Sequence, residues 1–328
     1  MSSPLPTPNT EFVVSTLNLF NYLAPPNAYY QLDNIYSQHE WDKKQRWLKQ
    51  HIAELNCDII GFQEVFSPEE LKVQVSQIDY RHFACIERPK VESDYIYSSP
   101  PVALASRFPI TQIKLVNTDK LDHFPAGFAF SRAPLHVTVD IPTLGLCDIY
   151  VVHLKSQRSS IERQDKQPIE RQWQDEIFGQ WQSSIQRGTE ARLLHQYVAQ
   201  TKAETGRPFL IMGDFNQDIR QPELSSLLSR GMYRQPNSAE QLTLYHLYDS
   251  YEIALSVLTP RPLTHYVADR GSILDYILTS SDFNAQSATR RATIVRHHVN
   301  NRHLISPTFE QDQFSSDHAS VSITIQCD

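Results

Sequence analysis

Carboxylates, amides and imidazoles recur at one kind of place in this chain, the ends of strand-like apolar runs: Asn18, Glu64, His153, Asp214 with Asn216, Asp275, and Asp317 with His318. Strand ends hold side chains rigidly while the loops beyond them meet a ligand, so sites are commonly assembled there. Asn18, Glu64, Asp214, Asn216 and Asp317 form an all-oxygen set, which suits a hard cation such as Mg2+ or Mn2+ far better than zinc. With His153, His318 and Asp275 added, the parts are present for metal-assisted attack of water on a phosphate ester. No Ser, Cys or His nucleophile paired with an activating base recurs among them, so no covalent intermediate is expected.

Periodicity supplies the elements that must position these residues. Residues 12–19 read as a buried strand ending in a polar residue. Trp41, Trp47, Leu48, Ile52 and Leu55 predict an amphipathic helix over about 40–55 that feeds a core strand at 57–65. A short helix is expected at about 67–78, then strands near 80–87, 101–107, 110–117, 127–140 and 146–154. The Gln-rich stretch 156–188 reads as polar helical material with a modest apolar face, and 189–204 as a plainer amphipathic helix ended by Gly206-Arg207-Pro208. A core strand at 209–216, a helix at about 221–230 and strands at 273–280, 292–299 and 318–326 complete the chain. Strand runs uninterrupted by helices predict mostly antiparallel pairing, in two packed sheets under outer helices rather than one doubly wound sheet.

The 328 residues carry 30 Lys+Arg against 37 Asp+Glu, a formal charge of -7, with 40% hydrophobic residues, which describes an ordinary folded globular chain. Nine Gly and 20 Pro exclude collagen-like and flexible low-complexity readings. The acidic balance argues against a protein that coats nucleic acid electrostatically, though not against nucleic acid as substrate. Cys57, Cys85, Cys147 and Cys327 show no metal-ligand spacing and are expected to be reduced and mostly buried. With no repeat and no linker, residues 11–328 are expected to form a single domain behind a disordered Pro/Ser/Thr-rich lead-in at 1–10. No basic and apolar leader and no run of 18 apolar residues is present, which leaves a cytoplasmic location and a chain without an integral membrane segment as expectations.

The order and local sequence of the motifs resemble the endonuclease/exonuclease/phosphatase superfamily, also described as deoxyribonuclease-like. The matching pieces are Leu17-Asn18, Gln63-Glu64-Val65, Ser106-Arg107-Phe108-Pro109-Ile110, His153-Leu154-Lys155-Ser156, Gly213-Asp214-Phe215-Asn216, Leu274-Asp275-Tyr276-Ile277-Leu278 and Ser316-Asp317-His318, spanning about 12–326. The resemblance implies a four-layered α/β sandwich, two packed mostly antiparallel sheets flanked by helices, with the active site at one edge. It further implies a Mg2+ (or Mn2+) cofactor with Glu64 as main ligand and Asn18 and Asp317 contributing to the same region. In the same pattern Asp214 orients or deprotonates the attacking water, and Asn216 holds the scissile phosphate or the nucleophile. His318 binds the phosphate and stabilises transition-state charge, Asp275 fixes its tautomer, and His153 lies on the phosphate's other side. Family members that cut at abasic sites carry a tyrosine near the His153 position, whereas the His-Leu-Lys-Ser context is similar to the general nuclease and phosphatase branches.

Other polar residues have plainer readings. His265, His297, His298 and His303 read as surface or structural, Arg107 as a structural hydrogen-bonding arginine, and Lys155 and Arg158 as solvated charges. Arg192 precedes the Asp214 strand, and its helical position does not settle whether it points inward. The aromatic loop 22–39, with Tyr22, Tyr29, Tyr30 and Tyr36, and the 156–188 segment are where substrate selection is expected, because tyrosines beside a phosphate site stack on bases or line a lipid or sugar pocket. A phosphodiester-cleaving nuclease is the favoured reading. A phosphatase or phosphodiesterase for a small molecule or lipid headgroup (inositol-phosphate or sphingomyelin type) and an inactive binding scaffold are the alternatives, with a monomer as the default state.

Overall fold

The computed structural model describes residues 11–117, 121, 127–162, 166–235 and 237–328; the expected lead-in at 1–10 lies outside the described residues. The elements that position the site run β1 (Glu11–Tyr22), α1 (Gln38–Leu55), β2 (Ile59–Val65), α2 (Pro68–Ser76), β3 (His82–Ala84), β4 (Ala103–Ser106), β5 (Ile110–Leu115), β6 (Leu135–Ile141), β7 (Gly145–His153), α3 (Ile169–Thr205), β8 (Phe209–Asp214), β9 (Tyr248–Asp249), β10 (Asp275–Thr279), β11 (Ala292–Asn300) and β12 (Ser320–Cys327). They make two six-stranded sheets, ordered β11-β12-β1-β2-β4-β3 and β9-β10-β8-β7-β6-β5. β1 with β2 and β7 with β8 pair in parallel, and every other neighbouring pair in these sheets is antiparallel. The two parallel pairs are the ones joined by helical crossovers, α1 and α3, because parallel strands cannot be linked by a tight turn.

Period-two alternation explains the layering. On β1, Phe12 and Val14 point between the sheets while Val13, Leu17 and Leu19 pack toward α1 and α2. On β7, Ile149 and Val151 face inward and Tyr150 and Val152 face α3; on β8, Leu210 and Met212 face inward and Phe209 and Ile211 face α3. Trp41, Trp47, Leu48 and Ile52 of α1 close the first outer layer, and Ala191, Leu194 and Val198 of α3 close the second. The result is the four-layered α/β sandwich, with a sheet–sheet core and two sheet–helix cores. α1 starts on a capping box, in which Ser37 Oγ accepts from the Glu40 amide at 3.3 Å and Glu40 Oε2 accepts from the Ser37 amide at 2.8 Å.

Several boundaries differ from the sequence reading. The 156–188 and 189–204 segments are not two helices: α3 is one helix of 37 residues that begins after Pro168, and 156–162 is irregular. A proline disfavours helix in the residue before it, which sets that start. The strand expected at 127–140 begins at Leu135, and the helix expected at 221–230 is a turn at Pro222–Ser225 followed by a 3-10 turn at Ser226–Leu228. A small sheet of Ala28–Tyr29, Lys90–Glu92 and Ile96–Ser98 and a hairpin of His265–Val267 with Arg270–Ser272 had no clear signal, their strands being only two or three residues long. The four cysteines are free, and all but Cys85 are buried.

Candidate active site

The inward-facing rows that build the sheet–sheet core turn polar at one end of the sandwich. Two residues beyond Val151 on β7 is His153, two beyond Met212 on β8 is Asp214, and two before Ile277 on β10 is Asp275. These three are direct cross-strand neighbours, His153 opposite Asp214 and Asp214 opposite Asp275. All three are buried, at 3, 1 and 0% exposure. Asn18 ends the inward row of β1, beside Gln63 of β2. Gly213 makes the approach of β8 to β7 possible: its φ is +144°, and a Cβ there would sit 2.0 Å from the Val152 carbonyl oxygen.

Four groups converge on Asp214. Asn18 Nδ2 donates to its Oδ2 at 3.1 Å, Asn216 Nδ2 approaches the same oxygen at 3.3 Å, and His153 Nε2 and His318 Nε2 lie 3.5 and 3.8 Å from it. The Asn216 amide donates to Oδ1 at 2.7 Å, an Asx turn that places Asn216 at φ +55° with Nδ2 also donating to the Leu154 carbonyl at 3.0 Å. His318 is fixed from behind, its Nδ1 2.9 Å from Asp275 Oδ2. Ser316 ties this motif to β1, donating to the Asn18 carbonyl at 2.6 Å and accepting from the His318 amide at 3.0 Å.

Electrostatics separates the groups into roles. Burial pushes the Asp214 carboxyl up to about 7; His318 opposes this, Asp275 adds to it, and the Asn216 and Asn18 bonds oppose it. For His318 burial works against the charged form, but the Asp275, Asp214 and Asp317 carboxylates hold it well above the ordinary histidine value. Burial, reinforced by Arg132 and His318, holds His153 well below that value, so it is a neutral imidazole. Two histidines around one carboxylate thus carry different charge.

Glu64 lies beside this cluster through a backbone irregularity. Alternation with Ile60 and Phe62 would turn it toward the α1 side, yet it is Val65 that joins that apolar cluster. The left-handed φ of +60° at Glu64 swings the carboxylate to the end of β1, where Oε2 accepts from the Asn21 amide at 2.9 Å and Oε1 lies 3.5 Å from Asn18 Nδ2. Asp317 reaches the cluster from the other side, with Oδ1 4.0 Å from His318 Nε2 and buried without a hydrogen-bond partner. The sets His265, Asp317, His318 and Asp214, Asp275, His318 each bring potential ligand atoms within 4.8 Å of one another. Neither set includes Glu64, and Asn18 Oδ1 already accepts from the Phe20 amide at 3.0 Å; the orphaned Asp317 Oδ1 and the Glu64 carboxylate are donors of the type a hard divalent cation takes.

Three residues of this region escaped the sequence reading. His265, read as surface or structural, lies beside the cluster: its Nε2 is 3.7 Å from Asp317 Oδ2 and its ring lies 4.6 Å from that of His318. Lys44 is buried on the apolar face of α1, over the rings of Phe20 and Tyr36 at 5.6 and 5.5 Å, and in the field of Asp317 and Glu64. Its place three residues after Trp41 and four before Leu48 was a usable signal. Arg132, in the irregular run before β6, acts electrostatically on Tyr30, His153 and Lys155, and its neighbours' amides are pinned by carboxylates: Ser131 to Glu190 at 2.7 Å, Ala133 to Glu87 at 3.0 Å. Nothing in a single sequence marks it.

Elsewhere the plainer readings stand. Arg107 donates to Asn56 and Asp58 at 3.4 and 3.5 Å, and His303 Nε2 donates to the His318 carbonyl at 2.9 Å. Arg192 is exposed and reaches Gln196 along its own helix at 3.2 Å rather than pointing inward. Lys155 is partly buried and Arg158 exposed.

A two-sheet sandwich with an acid–histidine cluster where its inner rows turn polar is the architecture of deoxyribonuclease-like phosphoesterases. The chain belongs to the Endonuclease/Exonuclease/phosphatase family, whose pattern matches residues 34–318. Among solved structures it is similar to the human Nocturnin catalytic domain with bound sulfate (15% identity, TM-score 0.57, 98% of this chain and 96% of that one). It is also similar to a humanized D. rerio TDP2 (12%, 0.56, 97% and 100%) and to D. rerio TDP2 complexed with single strand DNA product (13%, 0.54, 97% and 100%). At these identities the likeness shows the fold. No curated protein matches by sequence. No helix among the described residues is long and apolar enough to cross a membrane.

Proposed function

We propose that this phosphoesterase is a divalent-metal-dependent phosphodiesterase acting on nucleic acid, by in-line attack of water. The observation that carries the reading is the buried row His153–Asp214–Asp275 with His318 against both acids. Asp214, with its carboxyl held near neutrality, takes the proton of the attacking water, while Asn216 and Asn18 keep it oriented. His318, charged and braced by Asp275, meets the phosphate oxygens, and neutral His153 donates from the other side. Glu64, Asn18 and Asp317 would hold Mg2+ or Mn2+, which when bound supplies charge stabilisation to the phosphate or leaving oxygen.

Support for a polynucleotide lies on one flank. Arg132 and Arg158 act electrostatically on exposed Tyr30, which packs edge-on against Phe66 at 5.5 Å. Guanidiniums beside an aromatic face suit a strand with phosphates and bases, and the TDP2 structure with a DNA product shows the same fold engaging one. The test compares plasmid DNA, single-stranded RNA, an aryl diester and an aryl monoester, with Mg2+ or Mn2+ and with chelator, using Asp214→Ala as blank. Metal-dependent cutting of polymer, lost in the blank, is the expected outcome. Hydrolysis of the monoester alone would replace this reading with a small-molecule phosphatase, and no hydrolysis of any member would favour a binding scaffold.

A further inference from the structure

The first half of α3 carries a continuous row of apolar side chains that no described residue covers. Ile169, Trp173, Ile177, Trp181 and Ile185 follow at four-residue steps and are 68, 63, 48, 58 and 50% exposed; Phe178, 49% exposed, stacks on Trp181 at 5.8 Å. Single exposed apolar residues are ordinary, but a contiguous patch is not. The other side of the same turns is engaged: the Ser160 amide donates to the Gly179 carbonyl at 3.2 Å and Ser183 Oγ to the Arg158 carbonyl at 2.7 Å. A Cβ on Gly179 would lie 1.9 Å from Ser159 Oγ, so the helix is seated closely on that side and its apolar row faces out.

Three features identify the occupant. No Lys or Arg lies between residues 172 and 186, so the face offers nothing to a polyanion or an anionic lipid surface. At 3.6 residues per turn a four-residue step advances about 40°, so the row turns through about 160° from Ile169 to Ile185. A flat bilayer meets only part of such a row, whereas a second helix crossing at an angle packs along it, ridge into groove. Finally, Ile-Trp-Ile-Trp-Ile reads the same in both directions about Ile177, the self-complementarity a two-fold axis requires. The six side chains expose on the order of 700 Å² per copy, of which a crossing helix covers the central part around Trp173, Ile177 and Trp181, an interface at the small end of the range.

We propose that two copies of this chain pair through the first half of α3 about a two-fold axis at Ile177, in place of the default monomer. Trp173 of one copy then meets Trp181 of the other. Because Ser183 and Gly179 hold Arg158 and Ser160 from the inner side of the same turns, pairing braces the segment that brings Arg158 toward Tyr30.

Sedimentation velocity of the full chain at micromolar concentration tests this. The expected result is twice the 37.8 kDa chain mass for the wild type, and the single mass for Trp173→Glu/Trp181→Glu with unchanged circular dichroism. Ile177→Glu, at the crossing point, gives the same result with one change should the double variant fold poorly. A wild type of single mass overturns the proposal, as does a well-folded Ile177→Glu that remains paired. A monomeric wild type that floats with phosphatidylcholine vesicles would assign the face to a neutral lipid surface instead.

Discussion

Asp214 and Asp275 face each other across the β8–β10 ladder, two buried carboxyls in register, with one ring, His318, reaching both. Burial is the main reason the Asp214 carboxyl is raised to about 7; the neighbouring Asp275 adds to it, while His318, to which Asp275 is committed, opposes it.

The pH dependence of kcat/KM follows from this pair. Asp214 works as a base only when deprotonated, so activity should climb with pH through a limb near 7. Asp275→Asn removes the neighbouring negative charge but leaves Asp214 and Asp317 to hold His318 charged, so the Asp214 value falls and the limb moves toward acid. It also deprives His318 of its partner, so the plateau should fall about 10–100-fold. A pH–rate profile reads both effects; a limb that stays in place in Asp275→Asn contradicts the coupling.

The strand-end residues were legible because period two is rigid: once Ile149, Val151, Leu210 and Met212 are assigned inward, His153 and Asp214 must share their face. Glu64 was legible by type and neighbours, but not its direction, because the left-handed φ that turns it inward breaks the alternation on which the reading depends. Arg132 and His265 belong to irregular or very short segments whose placement is set by tertiary bonds such as Ser131 to Glu190. α3 was misread as two helices with a modest apolar face because the row at Trp173 and Trp181 has no covering layer among the described residues, and periodicity does not reveal what packs against a face.

Arg132 is placed to recognise substrate rather than to perform chemistry. The backbone on either side of it is clamped by Glu190 and Glu87, and its charge acts on both Tyr30 and His153. Arg132→Ala should therefore raise KM for a phosphodiester polymer about tenfold with a much smaller change in kcat, and Arg132→Lys should recover only part, because a lysine lacks the planar fork. A loss confined to kcat would place Arg132 in the chemical step instead.

Acid should unfold the protein for a reason outside the site. Burial holds His51 and His297 down to about 3, so the folded state keeps both uncharged while the unfolded chain takes up protons below about 6.5. Their contribution is present above 6.5 and is lost as pH falls from there toward 3, costing about 1.4 kcal/mol each between pH 7.5 and 5.5. His297 has an unpartnered Nε2 and packs edge-on to Tyr251 at 5.4 Å, so His297→Phe should keep the fold and remove its share of the drop. Urea midpoints at the two pH values measure this, and an unchanged difference in the variant would remove His297 from the account.

The proposed metal region contains its own counter-charge, and that makes the assignment of Glu64 testable without turnover. Lys44, buried and lowered to about 8 by that burial, lies in the field of Asp317 and Glu64, the acids proposed to hold the cation. A fixed ammonium there offsets their mutual repulsion in the empty site but opposes a second positive charge. Isothermal titration with Mn2+ should show affinity falling about 10–100-fold in Glu64→Gln, as loss of one oxygen ligand requires. Lys44→Met should move affinity the other way, tightening it by up to about tenfold, since the removed charge repelled the ion from within the protein. Opposite shifts from buried Lys44 and half-buried Glu64 are not produced by general loss of packing, which weakens binding in both; two weakened variants, or a Glu64→Gln that binds like the wild type, would move the cation away from the end of β1.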